Sequence, residues 1–404
     1  MSLFKQIATL PKAVKQYLII TGNYWAFTLT DGALRMLVVL YFHQLGYQPL
    51  AIAMLFLFYE VFGVITNLIG GWLGARIGLN KTMNIGLFMQ VFALAMLLLP
   101  EQYLTIVWVM SAQALSGIAK DLNKMSAKSS IKTLVPKDQQ SSLFKWVAIL
   151  TGSKNALKGI GFFLGGFLLT LFGFTLAILL MAAMLLFVAL LSVVFLREEI
   201  GKAKNKPKFS QMFSNNSALN FLSLARMCLF AARDVWFVVA LPVYLATQLQ
   251  WQHQSIGAFL ALWIIGYGFV QSYAPVLVGR STGKLPNTAT LSTWGWSLAG
   301  VTLLLALLPM FVAISSEILV VGLLIFGGIF AINSSLHSYV IVAMAKEDGV
   351  SMDVGFYYMA NAMGRLLGTI LSGWIFQQYG LVMCLYISAF LAAFAAIFIR
   401  KVEF

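Results

Sequence analysis

The chain has 404 residues, of which 60% are hydrophobic and 10% are charged, whereas soluble domains contain about 25% charged residues. The mean hydropathy is +0.88 and the formal net charge at pH 7 is +14. This composition excludes a cytosolic enzyme, a secreted disulfide-stabilised domain and a disordered chain, because surface-to-volume scaling limits how much apolar surface a soluble protein can bury. Long apolar blocks without strand-like alternation predict a helical membrane protein.

Twelve apolar segments are long enough to cross a bilayer, which takes about 20 residues per helix. Glycine, proline and polar clusters separate them, for example at 46–49 and 283–287. We therefore predict an all-α membrane protein with twelve transmembrane helices. Spans 1 to 12 are predicted at 16–45, 50–75, 82–99, 103–125, 143–171, 175–196, 217–247, 255–279, 288–308, 317–343, 353–377 and 381–399.

The basic residues of the loops lie at one end of the predicted bundle. When the N-terminus is placed inside, the outer loops contain no Lys or Arg and hold His43, Glu101, His253 and Glu317. Because cytoplasmic loops carry the Lys and Arg excess, both termini are predicted to be cytoplasmic. The positive charge therefore indicates topology and no nucleic-acid partner. The inner loops hold Arg76, Lys81, Lys128, Lys132, Lys137, Arg197, Lys208, Arg280, Lys284, Lys346, Arg400 and Lys401.

The long polar stretch 197–216 divides the chain into two sets of six spans. We predict an N-terminal half at 1–196, a cytoplasmic linker at 197–216 and a C-terminal half at 217–404. A shift of 207 residues places Lys158 on Arg365, Gly161 on Gly368 and Gly173 on Gly380. Two six-helix halves in this parallel relation are typical of major facilitator transporters, which bind substrate near the bilayer midplane.

The turn after span 2 reads GWLGARIGLNK at 71–81 and resembles the major facilitator motif between helices 2 and 3. The resemblance implies a gating motif at Gly71, Arg76 and Gly78, although Ala75 stands where the family usually has Asp. Span 5 carries several glycines, which we interpret as close helix packing. The alternative is a glycine motif of drug/proton antiporters. These glycines are Gly152, Gly161, Gly165 and Gly166.

Eight ionisable residues are predicted near the bilayer midplane, where each costs roughly 2.5–3.5 kcal/mol on insertion scales. Five are cations and three are anions, which leaves an excess of two positive charges. A positive cavity in a low dielectric needs anions, so we predict a substrate with several negative charges. The eight residues are Asp31, Arg35, Glu60, Lys154, Lys158, Arg233, Asp234 and Arg365.

The charged residues fall on defined helix faces. Thr28, Asp31 and Arg35 share one stripe of span 1, and Lys154 and Lys158 share a stripe of span 5 with two glycines. The 207-residue shift turns the span 5 stripe into Asn361, Arg365, Gly368 and Ser372 of span 11. The predicted substrate-binding residues are Thr28, Arg35, Lys154, Lys158, Arg233, Asn361 and Arg365.

Each charge also has a structural interpretation. Asp31 and Arg35 have the spacing of an intrahelical ion pair. Lys154 and Lys158 repel each other and need an anion, which could be Glu60 or Asp234 instead of a substrate.

The adjacent Arg233 and Asp234 are expected to point apart and to have separate partners. Asp31, Glu60 and Asp234 are predicted to couple protons or to form charge pairs, since burial and changing neighbours shift carboxyl pKa values. His337 in span 10 is expected to be a hydrogen-bonded core histidine.

Span 4 ends in a basic run that includes Lys120, Lys124 and Lys128. Lys120 and Lys124 are predicted to form a cytoplasmic entrance that attracts anions. The alternative is that these side chains only reach out to the membrane interface. The sequence contains no nucleotide-binding loop, no hydrolase motif and no histidine pair with metal spacing. We therefore predict a secondary transporter that is not an enzyme and has no cofactor or metal.

Four stretches of the sequence read NYWAFTLTDGALRM at 23–36, ALSGIAKDLNKMSAKS at 114–129, TGSKNALKG at 151–159 and ARDVWF at 232–237. These stretches resemble ArsJ, the organoarsenical efflux branch of the major facilitator superfamily. The resemblance implies efflux of 1-arseno-3-phosphoglycerate across the bacterial inner membrane, which confers arsenate resistance. It also implies a functional partner, glyceraldehyde-3-phosphate dehydrogenase, which makes this compound from arsenate. We expect a monomer in the lipid bilayer.

Several alternatives remain at the level of the sequence. The chain could be an exchanger or exporter of other phosphorylated organic anions, because the cavity would look alike. Proton antiport and uniport fit the same residues. A non-transporting anion sensor would need a signalling domain, for which 197–216 is too short, and a membrane enzyme would need a catalytic set. Export of trivalent arsenic would need clustered thiolates, whereas Cys228 and Cys384 lie in different spans.

Overall fold

The structure is a computed structural model that describes residues 12–47, 55–136, 139–196, 200–282, 285–311 and 316–403. These residues form helices and turns, and no strand occurs among them. Several predicted features lie outside the described residues. They are the start of span 2 at 50–54, the N-terminal segment 1–11, the basic residues Lys137, Arg197 and Lys284, and the side chains of Arg280 and His253.

Twelve helical segments, α1 to α12, correspond to the predicted spans. The helix Gln140–Phe195 bends at Gly173, and its two arms are α5 and α6; Val350–Ile399 bends at Gly380, and its arms are α11 and α12. Two successive helices, Ser217–Phe237 and Ala240–Thr247, together form α7. The others are α1 Lys12–Gln44, α2 Leu57–Ile77, α3 Leu79–Met96, α4 Ile106–Leu134, α8 His253–Thr282, α9 Thr288–Leu307 and α10 Ser316–Met344.

The two bends occupy matching positions in the repeat. Gly173 has φ 71° and Gly380 has φ 76°, a region of backbone conformation that glycine adopts without the steric cost of a Cβ atom. The 207-residue shift places one glycine on the other. The turn between spans 5 and 6 is therefore repeated between spans 11 and 12.

Within the described ranges, seven helices have the length and hydropathy needed to cross a membrane, and the two bent helices among them supply two arms each. The helices α2, α3 and α4 are not among these seven. Asn67, Gln90, Gln113 and Asn123 lie on these three helices and are buried within the protein. Their polarity therefore faces the interior of the bundle.

Glycines set the closest helix contacts. A Cβ atom at Gly161 of α5 would lie 2.7 Å from the carbonyl oxygen of Leu29 in α1, and one at Gly368 of α11 would lie 3.0 Å from that of Ala231 in α7. Gly152 and Gly165 likewise lie against backbone atoms of α8 and α1. Gly152, Gly161 and Gly165 of span 5 thus allow close helix packing. Gly166 is the exception, since a Cβ atom there would make an ordinary van der Waals contact with Leu40.

Candidate functional site

All eight charged residues predicted at membrane depth lie on the inner faces of α1, α2, α5, α7 and α11. We call this set the charged cluster: Asp31, Arg35, Glu60, Lys154, Lys158, Arg233, Asp234 and Arg365. Five of them form a continuous chain of ion pairs. Arg35 lies 3.6 Å from Glu60, Glu60 lies 2.8 Å from Arg365, Arg365 lies 3.5 Å from Asp234, and Asp234 lies 2.6 Å from Arg233.

Arg365 is the centre of this chain. Its Nη2 donates to Glu60 Oε1 of α2, while its Nε faces Asp234 Oδ2 of α7. One guanidinium therefore binds carboxylates from both the first six and the last six helices. About a quarter of the Glu60 side chain and 29% of the Arg365 side chain remain exposed, so neither member of the pair is fully enclosed.

The expected separation of Arg233 and Asp234 is wrong. The Arg233 Nε donates to Asp234 Oδ1 over 2.6 Å, so the two neighbours pair with each other. Adjacent residues on a helix do start in different directions, but the long arginine side chain turns back along its own helix. Its guanidinium also lies over the ring of Phe230, 4.9 Å from the centroid.

Asp31 has a different partner from the one that its spacing suggested. Tyr59 of α2 donates its hydroxyl to both Asp31 carboxylate oxygens, at 2.8 and 3.0 Å. Arg35 instead pairs with Glu60 and lies over the rings of Phe56 and Tyr59. The intrahelical Asp31–Arg35 pair is therefore replaced by contacts between α1 and α2.

Lys154 and Lys158 lie inside the bundle, and within the described residues neither makes a hydrogen bond or an ion pair. Lys158 lies one helical turn beyond Lys154 on α5, so the two like charges repel each other. Lys158 has Asp31 among its charged neighbours, together with Arg35 and Arg365. Neither Glu60 nor Asp234 neutralises these lysines directly, because both carboxylates are paired with arginines.

Two neutral residues complete the predicted binding set. Asn361 is buried on α11, and its Nδ2 has no hydrogen-bond partner in the described part of the chain. Thr28 donates its hydroxyl to Tyr24 O in its own helix over 2.7 Å. Asn361 thus retains a donor for a ligand, whereas the Thr28 hydroxyl proton is used within α1.

The lysines of α4 point into the protein. Lys120 lies 3.8 Å from the centroid of the Tyr59 ring, and Lys124 pairs with Asp121 over 2.6 Å. Lys128 is buried and donates to Thr151 of α5. Their burial argues against simple extension to the membrane interface, and the role of Lys120 and Lys124 as an entrance stays a prediction.

Sequence reasoning overlooked Arg226 of α7. It is 2% exposed, and its Nη1 donates to the carbonyl oxygen of Ser334 in α10 over 3.0 Å. His337, one turn further along α10, is also buried, and its Nδ1 lacks a partner among the described residues. His337 is thus a core histidine, as expected, but its Nδ1 makes none of the expected hydrogen bonds within the described residues. Arg226 was a detectable signal, since it is a cation within an apolar segment.

No group of three or more His, Cys, Asp or Glu side chains that could hold a metal occurs in the described ranges. Cys228 and Cys384 are free thiols that lie buried in α7 and α12. The arrangement that the structure does contain is a set of guanidinium and ammonium groups within a helical bundle. Such a set suits oxyanions.

The sequence profile of the Major Facilitator Superfamily matches this chain twice, over residues 20–232 and 222–403. The chain belongs to the Major Facilitator Superfamily. It is accordingly a multi-pass membrane protein of a transporter family. A comparison with curated proteins finds no matching sequence.

Solved structures of superfamily transporters share this fold. The human organic anion transporter MFSD10 (TETRAN) aligns with a TM-score of 0.76 at 14% identity, covering 96% of this chain and 100% of that one. A variant of the E. coli fucose:proton symporter FucP gives 0.75 at 13% identity, covering 98% and 100%. A bacterial homologue of the iron transporter ferroportin in an outward-facing state gives 0.75 at 17% identity, covering 97% and 99%. At these identities the likeness establishes the fold.

In this superfamily member, the end of the bundle that carries residues 200–216 is closed. We call it the linker end. Ser351 of α11 donates to Gly71 O of α2 over 2.7 Å, and Lys132 of α4 donates to Ala343 O of α10 over 2.7 Å. Lys204 N donates to Asp348 over 2.7 Å. These contacts join the first six helices, the linker and the last six helices.

The predicted gating motif lies at this closed end. Gly78 has φ 98° in the tight turn between α2 and α3, and the Arg76 guanidinium lies over the Trp72 ring. Ala75 is buried, and its carbonyl oxygen accepts a hydrogen bond from Ala203 N over 2.8 Å. At this position, where the family usually has Asp, the residue contacts the linker through its backbone carbonyl.

Proposed function

We propose that this transporter exports 1-arseno-3-phosphoglycerate from the bacterial cytoplasm by alternating access. The observation that carries the proposal is the pair Lys154 and Lys158, two interior cations without a partner among the described residues. Isolated charges in a low dielectric are costly unless they are paired. A transported anion supplies that pairing, which favours an anionic substrate over a neutral one.

The substrate class matches the donors of the cluster. An acyl arsenate and a phosphate place oxyanions at the two ends of one small molecule. Guanidinium groups bind such oxyanions through two parallel hydrogen bonds, and lysines act as point charges. In this proposal Arg35, Lys154 and Lys158 face one end, while Arg233 and Arg365 face the other, with Asn361 as an additional donor.

The carboxylates of the charged cluster compete with the substrate for binding to the arginines. Glu60 and Asp234 both contact Arg365, so an incoming oxyanion competes with them for this guanidinium. Displacement of Glu60 breaks an ion pair between α2 and α11, which lie on opposite sides of the proposed interface between the halves. Substrate binding is thereby coupled to the movement of those halves.

The proposed orientation places the linker end in the cytoplasm, because the basic loops lie there. The closed linker end then corresponds to an outward-facing conformation, from which substrate leaves. Asp31, held by Tyr59, and Glu60 are the proposed proton carriers for the return step. Uniport without proton coupling, driven by breakdown of the exported substrate outside, would use the same binding residues.

The support for an organoarsenical in particular is the resemblance of residues 23–36, 114–129, 151–159 and 232–237 to the ArsJ branch. Three of these stretches contain members of the charged cluster, and the fourth contains the α4 lysines. The stretches that resemble this branch therefore line the candidate site.

Uptake of radioactive arsenate label by everted membrane vesicles tests the proposal. The vesicles receive glyceraldehyde 3-phosphate, NAD and purified glyceraldehyde-3-phosphate dehydrogenase, with each component omitted in turn. We expect uptake only with the complete mixture, and loss of uptake in Arg35→Ala and Lys158→Ala vesicles. Lys145→Gln is the matched control, because Lys145 is an exposed cation near the start of the same α5 helix.

Two other results would redirect the assignment. Uptake with arsenate alone contradicts an organoarsenical substrate. Absence of arsenic uptake, together with uptake of phosphate esters that is sensitive to the same substitutions, identifies an exchanger or exporter of phosphorylated organic anions. An imposed pH gradient that leaves the rate unchanged eliminates proton coupling without affecting the substrate assignment.

A further inference from the structure

Arg226 is a buried cation outside the charged cluster. Its side chain lies between α7, α10 and α11, where it contacts Ser334 O at 3.0 Å and Ser338 Oγ at 3.5 Å. Its guanidinium lies 4.1 Å from the Phe230 ring centroid, and its Nε has no partner in the described part of the chain. No carboxylate of a described residue lies within ion-pair distance. Such burial without a counter-anion is costly.

Lys128 of α4 is a second cation in the same situation. It is 3% exposed, and the Thr151 hydroxyl is its hydrogen-bond partner among the described residues. Lys124, one turn earlier on α4, is neutralised by Asp121. Lys128 therefore differs from its neighbour in having no paired carboxylate.

A pair of tyrosines connects the two cations. Lys128 lies 5.2 Å from the centroid of the Tyr358 ring, Arg226 lies 5.3 Å from that of Tyr357, and the two rings are 5.0 Å apart. The two cations thus face one small polar region between the first six and the last six helices.

This region lies between the closed linker end and the charged cluster. Lys132, one turn beyond Lys128 on α4, makes the contact to Ala343 that closes the linker end. Arg226 and Arg233 are seven residues apart on α7, about 10 Å along the axis, and both guanidinium groups lie over Phe230. An anion that passes from the linker end to the cluster meets Arg226 and Lys128 first.

We propose that Arg226 and Lys128 form a second anion-binding position, which takes one tetrahedral oxyanion group behind the linker-end closure. His337, with its unpartnered Nδ1 in the same stretch of α10 as Ser334 and Ser338, supplies a further donor. The position becomes accessible when the Lys132 contact opens. It does not depend on which anion the chain carries.

Equilibrium binding of ³²P-labelled inorganic phosphate to the purified full-length protein tests this position. The background is the Arg35→Gln, Lys158→Gln double variant, which removes two of the five cations of the charged cluster. We expect phosphate still to bind in this background, and its affinity to fall at least ten-fold when either Arg226→Gln or Lys128→Gln is added. Arg226→Lys is expected to retain most of the affinity because it keeps the charge.

The matched control is Arg400→Gln, since Arg400 is bound to Ser292 and lies over Trp296 far along the chain. It should leave binding unchanged. Two results overturn the proposal: no phosphate binding in the double-variant background, or binding there that neither Arg226→Gln nor Lys128→Gln weakens. Lys128 and Arg226 lie on different helices. If one of the two variants fails to fold, phosphate binding by the other variant still tests the proposal. If the protein transports no arsenic compound but still binds phosphate at Arg226 and Lys128, only the proposed substrate is refuted.

Discussion

Glu60 Oε1 accepts a hydrogen bond from Arg365 Nη2 over 2.8 Å, and this ion pair joins α2 to α11 across the bundle. Both side chains are partly exposed, so the pair is accessible to a ligand. The same Arg365 also faces Asp234. An oxyanion that binds Arg365 therefore competes with both carboxylates for this cation.

Replacing Glu60 by Gln is therefore expected to strengthen substrate binding. Removal of a partly exposed ion pair changes free energy by about 0.5–1 kcal/mol, so the KM for anion uptake should fall roughly two- to five-fold. The maximal rate should fall as well, because the displaced carboxylate no longer re-forms its pair during the return. Initial rates in everted vesicles measure both quantities.

Glu101→Gln is the control for that experiment. Glu101 lies in an exposed turn and accepts a hydrogen bond from Tyr41, far from Arg365 along the chain. Its kinetics should equal those of the unmodified protein. A higher KM in Glu60→Gln would mean that Glu60 supports substrate binding instead of competing with it.

The unpaired lysines predict opposite changes in activity and stability. Lys154→Gln and Lys158→Gln should each reduce anion uptake at low substrate by roughly ten-fold, which corresponds to about 1.4 kcal/mol of binding free energy. The same substitutions should raise the Tm of the detergent-solubilised protein, because an uncompensated interior charge is removed. Thermal unfolding and uptake assays on the same preparations check both effects.

Lys145→Gln, the exposed position on α5, should change neither quantity. A lower Tm in both lysine variants would indicate that Lys154 and Lys158 stabilise the fold through partners of their own. In that case their positive charge would be structural.

The repeat and the charges could be predicted from the sequence because both follow from simple rules. The 207-residue shift indicated that Gly161 and Gly368 occupy equivalent positions, and both pack against a backbone carbonyl of a neighbouring helix. The cost of charge in a membrane marked the residues of the cluster. The pairing among them depends on the packing of helices that are distant in sequence.

Arg226 and Arg233 illustrate what sequence rules miss. Arg226 lies near the start of a span, where a cation normally reaches the interface, but α7 is covered there by α10 and α11. The sequence predicts that the Arg233 and Asp234 side chains point apart, but the long arginine side chain folds back and pairs with Asp234. Helix periodicity fixes the direction of a Cβ atom, whereas the end of a long side chain is placed by its surroundings.

The two cysteines provide a test against thiol-based arsenic transport. Cys228 and Cys384 are buried free thiols on α7 and α12. The double substitution Cys228→Ala, Cys384→Ala should retain uptake of the organoarsenical, since oxyanions bind to cations and not to thiols. Everted vesicles should show no uptake of arsenite with or without the cysteines. Arsenite uptake that disappears in the double variant would contradict an oxyanion site.

Matched glycine pairs test whether the repeat governs helix packing. An added Cβ atom would lie 2.7 Å from a backbone oxygen at Gly161 and 2.8 Å from Asp234 Cβ at Gly368, whereas the nearest atom is 3.5 Å away at Gly166 and none lies within 4 Å at Gly373. Alanine at Gly161 or Gly368 should destabilise the protein by about 1–3 kcal/mol, as overpacking does. Alanine at Gly166 or Gly373, five residues further along the same helices, should be tolerated. Thermal unfolding of the four purified alanine variants measures this difference. Equal losses of stability at Gly161 and Gly166, or at Gly368 and Gly373, would contradict the close α1–α5 and α7–α11 contacts.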